Sequence, residues 1–223
     1  MNSLPKIAKS NLSEQVYDSI RSSLMEGRYQ PGERLTIASL AEQLGVSITP
    51  VREAIFRLVT ERALEMRAAT SIHVRRLTPA ELREIQTIRH HLEGEAAACA
   101  ALRIQPKALR ELETLQAEFT KAAASDPVEA SRVNREFHFR LAEAAEMPQI
   151  YAIVEGMWAQ MGPLIHLYHL NTPVRVLVSG DHGHYPLLRA LAARDPEAAR
   201  SAIQADIGVG TVMVEWLEAN EPA

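Results

Sequence analysis

Leu40–Leu58 reads LAEQLGVSITPVREAIFRL. Gly45 separates two stretches with helical spacing, Ile37–Leu44 and Thr49–Glu61. A tight turn there lets the second helix cross the first at the angle needed to enter a DNA major groove. Pro50 opens the second helix, where a missing N–H costs nothing. Its first turn offers Ser47, Thr49 and Arg52 beside backbone N–H groups and the positive helix end. That combination suits phosphate contact and base-edge hydrogen bonding. Leu40, Leu44, Val51, Ala54, Ile55 and Leu58 close a small core.

Working outward, Val16, Tyr17, Ile20 and Leu24 predict a helix over Ser13–Glu26, with Ser13 as N-cap and Gly27 as the residue past its end. Tyr29-Gln30-Pro31-Gly32 is a turn. Two extended pieces, Ala63–Arg67 and Ile72–Arg76, predict a two-stranded hairpin. Helices followed by a hairpin are the order of a winged helix-turn-helix. Beyond it the chain is helical. Thr78-Pro79-Ala80-Glu81 is a capping box opening a helix to Arg103, and further helices are expected over Pro106–Ala124, Asp126–Ala145, Pro148–Leu170, Pro173–Ala193 and Pro196–Leu217. Gly180, Gly183 and Pro186 could interrupt the fifth, and Asp195 caps the last. With no sheet to pack on, these helices imply a bundle. The fold class is therefore mainly α: a winged helix-turn-helix head over residues 1–76 and a helical body over residues 77–223, to which the family resemblance given below adds effector binding and dimerisation.

Composition agrees. The 223 residues are 47% apolar and 23% charged, enough for packed cores, and 10 Gly with 12 Pro exclude low-complexity readings. A lone cysteine, Cys99, in the Ala96–Ala101 run cannot form an internal disulfide and reads as close helix packing. No membrane-spanning run or signal peptide is visible, so a soluble cytoplasmic protein is expected. Residues 1–76 hold 11 Lys/Arg against 8 Asp/Glu, while the remainder holds 13 against 20. A basic front on an acidic body fits a polyanion-binding head, although ordinary charge scatter explains it equally well.

In the second half, Asn134 and His138 are one helical turn apart and share a face. His184 and Asp206 lie on later helices. If these helices line a common interior the four side chains converge, and bundle cores often hold metals or small ligands. Taken singly, each reads more readily as a satisfied polar group than as a ligand. Arg89 could grip a carboxylate or pair with Glu93 at i+4. His166 and His169 could reach the same cavity, though surface or packing roles suit them better. His182 points elsewhere than His184, His73 reads as a strand histidine with a wing role as the alternative, and Trp158 and Trp216 read as core.

The segment from Tyr17 to Met66 resembles the DNA-binding domain of the GntR family of bacterial transcription regulators. Its marks are Gly27…Pro31-Gly32…Leu35, Leu40-Ala41, Leu44-Gly45-Val46-Ser47 and Thr49-Pro50-Val51-Arg52-Glu53-Ala54. The resemblance implies DNA contacts by Arg34, Ser47, Thr49, Arg52 and Ser71. Ile48 stands where the family commonly has Arg, so it cannot read guanine but could touch a thymine methyl. Ser71, beside Thr70, replaces a common wing-tip Gly. Residues from Leu77 to Leu217 resemble the FCD effector domain of the FadR-type branch, through Arg89-x-x-Leu92-Glu93, Asn134-x-x-Phe137-His138-x-x-Leu141, His184…Ala190-Leu191 and Arg194-Asp195-Pro196-Glu197-Ala198-Ala199.

Many FCD domains hold a divalent metal with one Asp and three His. Here Asn134 stands at the usual Asp and Asp206 at the last His, so the resemblance implies a metal set of Asn134, His138, His184 and Asp206. The amide oxygen is a weak, hard donor that favours manganese relative to zinc or nickel. A metal-free site in which Arg89, Asn134, His138 and His184 hold an organic acid directly is the competing arrangement. The expected protein is a homodimeric repressor that binds a palindromic double-stranded operator and responds to a small carboxylate metabolite, with no enzymatic activity. The rival from another class is a metal-dependent hydrolase using the same four residues.

Overall fold

The computed structural model describes residues 12–67, 71–171 and 184–220. Helix α1 (Leu12–Met25) buries the expected Val16, Tyr17, Ile20 and Leu24. Ser13 lies inside α1 rather than capping it, and its hydroxyl donates to the Glu53 carboxylate. Helix α2 (Ile37–Leu44) is capped by Thr36, whose side chain accepts from the Ser39 N–H. Gly45 follows with φ 65°, a left-handed conformation in which a Cβ would be strained, and so makes the turn into α3 (Ile48–Thr60). That helix begins at Ile48, placing Pro50 in its first turn rather than at its first position.

The hairpin forms from β2 (Leu64–Arg67) and β3 (Ser71–Val74), with Leu64 opposite Val74 and Arg67 opposite Ser71. A third strand corrects the two-stranded expectation: β1 (Arg34–Leu35) pairs antiparallel with β3, giving the order β1-β3-β2. Two residues are too few to show alternation. The pairing is set across the fold, where Gly32 N–H donates to Val74 C=O and Val74 N–H to Glu33 C=O.

The body follows its punctuation. Helix α4 (Pro79–Arg103) carries the complete Thr78/Glu81 capping box, α5 spans Pro106–Ala123, and α6 (Pro127–Ala144) is capped by Asp126. Helix α7 spans Pro148–Asn171 and α8 His184–Ala193; the expected stretch from 173 to 183 lies outside the described residues. The last expected helix is two, α9 (Pro196–Val209) and α10 (Thr211–Ala219), broken at Gly210. There the Gly210 carbonyl accepts from Gln86 Nε2 at 2.7 Å, and a Cβ would collide with that amide. Ala96, Ala97, Ala100 and Ala101 of α4 are fully buried against α8 and α9, their small size allowing close approach.

Head and body are packed together along α1 and α7. Ala159 of α7 belongs to the head's apolar core. A Cβ on Gly162 would lie 2.5 Å from Leu24 O and 2.6 Å from Met25 Cα, so only glycine admits this approach. Arg21 pairs with Glu155 at 2.7 Å, Gln160 donates to Glu61 C=O at 3.0 Å, and Arg135 donates to Met25 C=O at 2.6 Å.

Candidate functional site

On the head, the side chains singled out for DNA contact stand outward. Arg34, Ser47, Thr49 and Arg52 are exposed, while Pro50, Val51, Ala54, Ile55 and Leu58 turn inward from α3. Ser71 behaves differently. Its Oγ lies 2.7 Å from His73 Nε2, and His73 Nδ1 lies 3.2 Å from the Gly32 carbonyl. A carbonyl only accepts, so Nδ1 carries the ring proton and Nε2 accepts from Ser71. The Ser71 hydroxyl proton is therefore spent inside the wing, and His73 is a half-buried wing strut. Thr70 lies outside the described residues.

Inside the body, α4, α6, α7 and α9 enclose a cavity of about 190 Å³ whose walls include Arg89, Asn134, His138, Trp158, His169 and Asp206. His138 Nε2 lies 3.4 Å and His184 Nε2 3.6 Å from the same Asp206 Oδ2. The three donor atoms all fall within 4.8 Å of one another. Asn134 lines the cavity one turn before His138, as its spacing predicts.

Each imidazole is held from behind. Glu93 Oε2 lies 2.6 Å from His138 Nδ1, and its other oxygen accepts from Arg89 Nε at 2.6 Å. His184 Nδ1 donates to Gln116 Oε1 at 2.6 Å, and its ring stacks on Phe137 at 3.9 Å between centroids. The Arg89 guanidinium lies over the Trp158 ring at 4.7 Å, and among the described residues no hydrogen bond engages its terminal amino groups. One N–H of Arg89 thus serves Glu93, as its i+4 spacing predicts, while the residue also lines the cavity.

Burial disfavours charge on Glu93, yet the Arg89 guanidinium and His138 outweigh it and hold the carboxyl at about 2. Burial likewise pushes His138 down, and the Glu93 charge with the Asp206 and Glu93 hydrogen bonds overcomes it, raising His138 to about 9. For His184 burial prevails over Asp206 and the pKa falls. Asp206, despite burial, is held well below the usual carboxylate range by His184 and His138. At neutral pH one guanidinium and one imidazolium thus face two carboxylates, and the cluster is neutral.

The donor set fits a divalent ion. Bonds of about 2.0–2.2 Å in a tetrahedral shell imply donor separations of roughly 3.4 Å, close to the two His–Asp distances. The widest separation, up to 4.8 Å, would have to close by about 1.4 Å for a tetrahedral shell. A carboxylate and an amide each fixing an Nδ1–H is the usual support for metal-ligating histidines. Replacing the His138 proton by a divalent ion would leave one excess positive charge beside the Arg89 fork.

Several contributors were not legible as site residues. Gln116 lies in LETLQAEFTK, which carries no mark of a site, and is 1% exposed. Glu93 was visible only as a partner of Arg89, because its approach to His138 joins two helices. His169 lines the cavity, whereas His166 packs instead against Gly27 at the head–body joint. Trp158 is buried core and cavity wall together. His182 lies outside the described residues.

A winged helix-turn-helix head on an all-helical body defines a DNA-binding transcription regulator. The chain belongs to the GntR family: residues 12–74 match the bacterial regulatory proteins of the gntR family, and residues 84–208 match the FCD domain. It is 36% identical over 200 residues to the HTH-type transcriptional regulator McbR of Escherichia coli, covering 89% of this chain and 90% of that one. It is 27% identical over 209 residues to the Exu regulon transcriptional regulator of the same organism, covering 86% and 80%. The solved structure of E. coli McbR/YncC superposes with a TM-score of 0.85 at 32% identity, covering 94% and 100% of the two chains. A GntR regulator from Rhodococcus sp. RHA1, at 20% identity, shares the fold with a TM-score of 0.70, covering 93% and 99%. The family and these relatives are transcription regulators rather than enzymes, which removes the hydrolase reading. No helix among the described residues is long and apolar enough to cross a membrane.

Proposed function

We propose that this protein is a cytoplasmic, effector-released repressor. Residues 1–76 form the DNA-binding head and residues 77–223 the effector-binding and dimerising body. Two copies place their heads on the half-sites of a palindromic operator. Lys/Arg contacts to phosphate supply affinity, and Ser47, Thr49 and Arg52 supply position and base contact, with Arg34 at the flank. Ser71 is a weaker candidate, its proton being held by His73.

The body takes a small organic acid. The observation that carries this reading is the buried chain Arg89–Glu93–His138–Asp206–His184, which ends in a guanidinium fork directed at a cavity of about 190 Å³. A fork of that kind binds a carboxylate bidentately. We place a divalent metal on His138, His184, Asp206 and Asn134, with manganese favoured over zinc or nickel by the amide oxygen. The ion would supply a Lewis-acidic point for one effector carboxylate.

Helix α7 supports a route to the head. Trp158 lines the cavity, while the adjacent Ala159 packs in the head's core and Gly162 touches α1. Asn134 lines the cavity, while Arg135 holds the end of α1. An effector changes DNA affinity through this joint only if it binds the DNA-competent and released arrangements unequally.

Metal analysis of untagged, chelator-free protein tests the site. About one transition metal per chain, lost in His138→Ala, is expected. A folded protein with no metal would sink the metal assignment and leave Arg89 and the two histidines to hold the acid directly.

A further inference from the structure

We infer that the recognition helix reads thymine methyl groups through two apolar side chains, Ile48 and Phe56, set on either side of Arg52. This deepens the proposed DNA-binding role and rests on α3 entering the major groove. Successive residues of an α-helix turn by about 100°. On α3 the buried arc is Pro50, Val51, Ala54, Ile55 and Leu58. Opposite its centre fall Thr49 and Phe56, two turns apart and about 10 Å along the axis, with Arg52 and Ile48 to one side.

Phe56 is 51% and Ile48 48% exposed, although the head otherwise closes a dense apolar core. Single exposed hydrophobics are ordinary on protein surfaces. These two share the exposed side of α3 with Thr49 and Arg52, and Ser47 is the N-cap beside them. The only apolar group that base edges present in the major groove is the C5-methyl of thymine. Arginine there takes guanine O6 and N7. The surface thus carries an apolar, cationic, apolar sequence along the helix, matched by a half-site with a guanine flanked by thymines.

DNA is the occupant the surroundings select. Arg34 and Arg52 are exposed on this head with no ion pair among the described residues, whereas Arg57 pairs with Glu61 and Arg67 with Glu65, and the N-terminal end of α3 adds positive potential beside Ile48. The one carboxylate on the outward arc of α3, Glu53, is turned to α1, where it accepts from Ser13. An apolar protein partner would have no use for the unpaired guanidinium of Arg52 between the two apolar side chains.

The test uses the full chain. Operators are selected from a random duplex library, and each thymine in the selected half-site is then replaced by deoxyuridine, which keeps pairing and removes only the methyl. With wild-type protein, at least one replacement under each side chain is expected to weaken binding about fourfold, the factor for one buried methyl. Ile48→Ala and Phe56→Ala should each become indifferent to its own position while retaining the other, a coupling that general weakening does not produce. Both side chains are exposed, so melting temperatures should stay unchanged. Deoxyuridine without effect on the wild type, or an equal effect on wild type and variants, overturns the inference. So does a change in sedimentation of Phe56→Ala with unaltered DNA binding, which would assign Phe56 to a contact between copies. Arg52→Ala separates the underlying reading: undiminished affinity in that variant would show that α3 is not in the groove at all.

Discussion

In the head, Arg34, Ser47, Thr49 and Arg52 stand in water around an apolar core, whereas in the body Arg89, Glu93, Gln116, His138 and His184 are all less than one-tenth exposed. Among the described residues of the head no charged side chain is buried to that degree, and its one comparably buried hydroxyl is that of Tyr17. The partners explain the difference. A DNA duplex brings dense charge of its own, so exposed, flexible cations suffice and desolvating them in advance would only destabilise the fold. A small ligand offers few contacts, and selecting it requires polar groups already stripped of water and oriented by one another. Every member of the buried set therefore has a partner in place: Glu93 for Arg89 and His138, Gln116 for His184.

The contrast is most exposed at Glu93. Glu93→Ala strands a guanidinium and an imidazole in the interior and should lower the unfolding free energy by about 3–5 kcal/mol. Glu129→Ala, which breaks an exposed pair with Arg132, should change it by less than about 1 kcal/mol. Urea denaturation of the two variants side by side checks this, and equal losses would erase the distinction between the regions. Next in size is Gly162→Ala, where the added methyl meets Leu24 O and Met25 Cα. A loss of about 1–3 kcal/mol is expected. Both tryptophans, Trp158 and Trp216, belong to the body. Tryptophan fluorescence therefore follows the body alone, and its transition should separate from the far-UV signal once the head is detached. Coincident transitions in the variant would show that head and body still unfold as one unit and that the Gly162 contact is not what couples them.

Tyr17 gives a smaller effect with a defined pH window. Burial first, then its hydrogen bond to Glu61, push the Tyr17 phenol up to about 12. A group whose pKa is raised in the fold stabilises it fully below its unfolded value near 10, and that stability is lost as pH rises towards 12. At pH 11 the loss attributable to Tyr17 is about 1 kcal/mol. The difference in stability between wild type and Tyr17→Phe should accordingly shrink or reverse between pH 10 and 12, as read by chemical denaturation at each pH; a constant difference would contradict it. Smallest is Arg52→Ala, which should leave stability within about 0.5 kcal/mol of wild type while weakening operator binding and flattening its salt dependence.

Much of this was written in local signals. Gly45, the Thr78/Glu81 box, Asp126 and Asp195 placed the helices because turns and caps are decided by a few neighbouring residues. The i, i+4 spacing put Asn134 and His138 on one face for the same reason. Strand β1 and the break at Gly210 were not legible, since a two-residue strand exists only against β3 and the break is accommodated by Gln86 from α4. Nor was the support of the site: Glu93 meets His138 across 45 residues and Gln116 meets His184 across 68. Sequence alone determined the kind of the described elements other than β1, the outward face of α3 and the family. The tertiary structure decided which polar groups share the interior and how α7 joins cavity to head, because desolvation and close approach are properties of packed helices and not of any one of them.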